Sequence, residues 1–136
     1  AIANAHFDPA NLAALAAARE AIGRELPIRI ACPDPTRRAL AARLGAEVQS
    51  GACHAGRYET SIVLAAEPAL VDEAARAPLP PVPISLSEQL GKGVTTFAAM
   101  GMHDAYAGDP AAATAAEGRE QIERLAEMVV GELTPR

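Results

Sequence analysis

The chain has no tryptophan, and only two tyrosines and two phenylalanines among 136 residues. Aromatic side chains are the platforms on which unpaired bases stack, so their scarcity argues against a single-strand nucleic-acid reader. Seventeen acidic residues against twelve basic ones give a net charge of −5, and the basic residues form no run. That argues against a phosphate backbone or an anionic membrane surface as the main partner. Two cysteines, Cys32 and Cys53, do not make a disulfide framework and fit a reduced, cytoplasmic setting. No apolar run reaches the length of a membrane span, and no charged-then-apolar leader opens the chain. It opens on Ala1-Ile2-Ala3-Asn4 without a methionine, which points to processing or to a piece of something longer.

What is present is mostly small and aliphatic. Half of the residues are hydrophobic and 21% are charged, which is too apolar a balance for disorder and enough for one domain with a core. Alanine and leucine predict a helix after Pro9, ended by Pro27, with Asp8 as its cap. A second helix is expected from Asp34 to Gly45, a third from about Glu59 to Pro68, a short one at Ser85–Gly93, and a long final one from Asp109-Pro110. On that last helix Ile122, Leu125, Val129 and Leu133 are expected to form the apolar stripe. The prolines of Ala77–Pro83 predict an extended connector. Pro27–Cys32 and the segment near Val48 read as short buried strands, with a third at Ala1–Ala5. Helices alternating with buried strands predict an α/β fold with a mostly parallel sheet, although so few strands make an incomplete one.

Candidate chemistry concentrates in three loops, each with one of the three histidines and a nearby carboxylate. His6 has Asp8 two residues on; at a strand end the two side chains share a side and suit a divalent cation. His54 stands in Ser50–Ser61, SGACHAGRYETS, between Gly51 and Gly56, with Glu59 five residues on. An imidazole there can move a proton near neutral pH, and Glu59 can orient it or reach a metal. Competing readings are a helix cap for Asp8, helix-start hydroxyls for Thr60 and Ser61, and a packing role for Tyr58. A Cys53 thiolate with His54 as base is a rival chemistry, but adjacent residues on an extended segment point apart. His103 reads as a loop residue.

The run His54-Ala55-Gly56-Arg57-Tyr58-Glu59-Thr60-Ser61, followed by Pro68-Ala69-Leu70-Val71, resembles the signature of the creatininase family of amidohydrolases, HAG-x-x-ETS. Gly108-Asp109-Pro110 with Ala113-Thr114 and Gly118 is similar to the family's GDP-x-x-AT-x-x-x-G. Asn4-Ala5-His6-Phe7-Asp8 is similar to its NGH-x-E. The three segments stand in family order along the whole chain.

The resemblance implies a three-layer α/β/α fold with a mostly parallel sheet. It implies hydrolysis of a C–N bond in a small amide or cyclic amide, two divalent ions (zinc, manganese or iron) and a homo-oligomer, often a hexamer. It makes His6 and Asp8 metal ligands, His54 and Glu59 catalytic, and Gly56 and Tyr58 substrate-side residues. Asp8 is one methylene shorter than the family's glutamate, Ala5 replaces a glycine, and the pocket tryptophans have no counterpart. The family's early E-x-H has none either, so residues 1–136 are expected to be the C-terminal portion of one such domain. The alternative is a catalytically inactive fragment, or an assembly domain on the same fold, lacking the full metal site.

Overall fold

The computed structural model describes residues 9–28, 30–32, 34, 37–52 and 54–133. His6, Asp8, Cys53 and the expected strand at Ala1–Ala5 therefore lie outside the described residues.

Helices carry nearly all the regular structure. In chain order they are α1 (Pro9–Glu25), α2 (Arg38–Ala41), α3 (Ala46–Ser50), α4 (Arg57–Ala66), α5 (Glu73–Arg76), α6 (Leu86–Gly91) and α7 (Ala115–Leu133). Among the described residues there are also single 3₁₀ turns at Pro68–Leu70 and Pro110–Ala112. Their limits follow local chemistry. Pro9 sits at the start of α1, and the helix stops before Pro27. Asp72 and Ser85 cap α5 and α6 by accepting from Ala75 N–H (3.0 Å) and Glu88 N–H (3.4 Å).

The expected three-layer α/β/α arrangement is not what forms. Among the described residues there is no sheet, only two isolated antiparallel bridges, His54 with Ala107 and Val82 with Gly108. The segment around Val48 is helical, because Ala46, Glu47 and Gln49 are good helix formers and Gly51, left-handed at φ 77°, ends the turn. The described part of Pro27–Cys32 is irregular. Its Cys32 N–H donates to the Glu132 carboxylate at the far end of α7 (2.8 Å) rather than to a neighbouring strand. Short apolar runs fit a buried strand or a buried turn equally well, and only the partner decides. The second expected helix is likewise cut to the single turn α2.

Packing is helix on helix. α4 lies against α7, and Gly118 is what lets them meet: a Cβ there would overlap the Ser61 carbonyl. Ser61, fully buried, answers with its hydroxyl, which accepts from Thr114 N–H at 3.0 Å. One core cluster joins Leu44, Tyr58 and Met128, with Leu40, Val48, Ile62 and Leu125 packed around it. The other joins Ala52, Met100, Met102 and Ala107, with Ile84, Leu86 and Val94 against it. The buried residues of α7 are therefore Gly118, Gln121 and Met128, with Leu125 packed beside them; of the expected stripe Leu125 faces the core, whereas Ile122 and Leu133 are 40% and 39% exposed. The close approach at Gly118 sets that face, overriding the larger side chains.

Candidate functional site

The expected proline connector and the glycine-punctuated loop after α6 both lead to one place. Val82 and Gly108 exchange backbone hydrogen bonds of 2.8 Å each way. One residue earlier, Ala107 N–H donates to His54 C=O (2.8 Å), and Ala107 C=O accepts the His54 N–H (3.3 Å). Three short extended segments thus lie side by side for a residue or two, with His54 on the outer one. Tyr106, 5% exposed, anchors the middle segment by donating to Pro80 C=O at 2.6 Å. Its burial, with the negative fields of Asp104 and Asp109, raises the phenol pKa above its ordinary value.

From His54 the chain turns through Ala55, whose φ of 50° is unusual for a residue with a Cβ, into α4. Glu59 holds that turn: its Oε2 accepts Ala55 N–H at 2.6 Å, and Thr60 Oγ1 donates to Ala55 C=O at 3.5 Å. The Glu59 bond is the returning half of a capping box, displaced by one residue. The half-buried His54 ring packs on Phe97, with ring centres 4.8 Å apart and planes tilted by 43°. Gly56, buried, stands at the N-cap of α4. Tyr58, 8% exposed, packs with Leu44 and Met128 in the core.

A carboxylate absent from the motif organises the rest. Glu47, half-buried on α3, accepts three backbone N–H groups: Arg57 on Oε1 (2.9 Å), Tyr58 on Oε2 (2.6 Å) and Asp109 on Oε1 (2.8 Å). It thereby satisfies two orphan donors of the first turn of α4 and places a negative charge at the positive end of the helix. Gly56 and Gly108 both face it. A Cβ on Gly56 would come within 2.7 Å of Oε1, and one on Gly108, already at φ 115°, would overlap the same carboxylate. A second tie lies outside it, where Arg57 Nε meets Glu117 Oε2 at 2.6 Å. Asp109 caps the 3₁₀ turn (Ala112 N–H, 3.2 Å), and Thr114 caps α7 (Glu117 N–H, 3.2 Å).

The HAG-x-x-ETS and GDP-x-x-AT-x-x-x-G segments are therefore one assembly, joined at His54–Ala107, Glu47, Ser61–Thr114 and Gly118. A family model described as creatinine amidohydrolase matches residues 1–133. The chain belongs to the creatininase family. No curated protein and no solved structure matches it. Membership assigns it to an amidohydrolase family and accounts for the two shared segments.

Of the residues expected in the site, His54, Glu59 and Gly56 stand in one loop, and Tyr58 is buried in the Leu44–Met128 cluster. Among the described residues no three metal-ligating side chains gather closely enough to hold a metal ion. Glu59 accepts Ala55 N–H on one of its oxygens, and both oxygens of Glu47 are taken by three backbone donors. His103 is exposed on a turn. Cys32 is a half-buried free thiol in a separate cleft. That cleft, about 410 Å³, is lined by Leu12, Leu15, Arg19, Cys32, Asp34 and Arg37, among others, and contains none of the expected site residues. No described helix is long and apolar enough to cross a membrane.

Proposed function

We infer that the protein hydrolyses a C–N bond in a small amide or cyclic amide, with His54 carrying a proton to the departing nitrogen. The observation that supports this reading is the fixed backbone of His54, bonded in both directions to Ala107 while its ring remains only half-buried beside Phe97. A proton carrier must be held to within a fraction of an ångström yet reach its substrate, and this arrangement meets both demands. Glu59 is assigned the orienting role, since its hydrogen bond to Ala55 fixes the turn that immediately follows the imidazole. Arg57, Tyr58 and Ala55 have their N–H groups taken by the protein's own carboxylates. Gly56 N–H, with no acceptor among the described residues, is the loop's candidate contact for a developing oxyanion.

His6 and Asp8 are proposed as contributors to a divalent-metal site (zinc, manganese or iron) in a cytoplasmic homo-oligomer. The described residues do not complete such a site. The test is hydrolysis of a panel of small linear and cyclic amides by the full chain, with and without added zinc or manganese. Replacing His54 by alanine is expected to reduce turnover by about 100-fold or more. Metal retained on the purified chain is expected to fall in His6→Ala. Turnover unchanged in His54→Ala would overturn the assignment.

A further inference from the structure

We propose that Glu47 is the positioning residue for His54: its carboxylate sets where the imidazole stands by clamping the two segments that hold it. The inference rests on the reading of His54 as the group that acts. Glu47 lies in neither shared segment, yet it binds both. Two of its hydrogen bonds go to Arg57 and Tyr58, three and four residues after His54, and one goes to Asp109, two residues after Ala107. The antiparallel His54–Ala107 bridge is thus backed by a three-pronged, charge-assisted tie that gathers the segments leaving it in either direction. Beside that tie, α4 reaches the stretch after Gly108 through the half-exposed Arg57–Glu117 pair and, one turn on, through the buried Ser61 hydroxyl to Thr114 N–H; among the described residues only Glu47 reaches Asp109, two residues from the bridge.

The glycines on either side make the clamp specific to a carboxylate in this place. Gly56 and Gly108 leave the space that the Glu47 oxygens fill, so the two backbones close on the side chain from both sides. Three N–H groups converge on two oxygens, which a carboxylate can accept in full. A carboxamide of the same size keeps one acceptor oxygen and presents an NH₂ to the remaining donors. Aspartate at this position, one methylene shorter, would not span the gap to both segments. The effect on His54 is indirect: Glu47 acts by fixing the backbone on which the ring is carried.

The test uses the full chain and reads the imidazole directly, so it does not depend on any turnover. The ring Cε1–H resonances of the three histidines are assigned with His6→Asn and His103→Asn. In Glu47→Gln, which keeps the side chain's volume, the His54 ring resonance and the Arg57, Tyr58 and Asp109 amides are expected to shift while His103 stays in place. In Glu47→Ala, Ala107 amide exchange is expected to accelerate by about tenfold or more. Added formate, the smallest carboxylate, is expected to restore the wild-type His54 resonance, whereas chloride at the same ionic strength is not. If Glu47→Ala does not fold, Glu47→Gln carries the comparison. A His54 resonance unmoved in Glu47→Gln would overturn the proposal, as would equal recovery with chloride. Failure of the hydrolase reading would show separately, as turnover unchanged in His54→Ala.

Discussion

α1 and α7 are nearly the same length, seventeen residues against nineteen, and almost opposite in how they are held. α7 presses a glycine against the backbone of α4, buries Gln121 and Met128, and is tied by its side chains to three other segments: Arg57 through Glu117, Arg43 through Glu127 and Cys32 through Glu132. α1 is exposed along most of its length, with only Asn11, Leu12 and Leu15 half-buried among its described side chains. It owes its helicity to alanine and leucine, helped by a surface pair between Arg24 and Glu20. One helix exists because of what it packs on, the other because of what it is made of. The catalytic candidates sit with the packed one.

Mutations should separate the two helices sharply. Gly118→Val has the largest expected effect, since its side chain would have to displace the Ser61 carbonyl; a loss of about 3 kcal/mol or more is expected in urea unfolding. Leu44→Ala, removing a side chain only 1% exposed, should cost about 2–4 kcal/mol in the same assay. Tyr106→Phe should cost about 1 kcal/mol by freeing Pro80 C=O. It should also remove a pH dependence. The folded phenol has its pKa raised above the ordinary 10.0, so its contribution is fully present below that value and is lost as pH rises through the folded one. Melting curves taken through the alkaline range should therefore fall less steeply for the variant.

Gln121→Met runs the other way. Gln121 is 3% exposed and its Oε1 has no hydrogen-bond partner, so an apolar side chain of similar length should stabilise by about 1 kcal/mol. The smallest effect belongs to α1: Ile22→Ala, on an exposed position, should stay within about 0.5 kcal/mol of wild type. A loss as large as that of Leu44→Ala would erase the contrast between the helices.

Much of this is legible from residue types. Pro9, Pro27, Ser85 and the prolines of Ala77–Pro83 mark where helices begin, end or cannot form, because each acts through its own backbone. The loop at His54–Ser61 is legible because glycines, a histidine and a glutamate crowd a chain otherwise made of alanine and aliphatics. The fate of the expected strands is not, since Val48 and Ile28 sit in runs too short to carry a period of two, and their state depends on partners far along the chain. The apolar face of α7 escapes local reading for the same reason: hydrophobic spacing favours Ile122, while a backbone contact at Gly118 turns the helix elsewhere. Glu47 gives no local signal at all. Its importance comes from Asp109, 62 residues away, and from two glycines shaped around it.

The two shared segments are joined into one hydrogen-bonded assembly that holds His54, while most described side chains of α1 are exposed. Native-state amide hydrogen exchange tests that division most directly. Ala107 N–H, bonded to His54 C=O, should exchange as slowly as the interior amides of α4, on the order of 100-fold slower than those of α1. Ala107 exchanging as fast as α1 would contradict it.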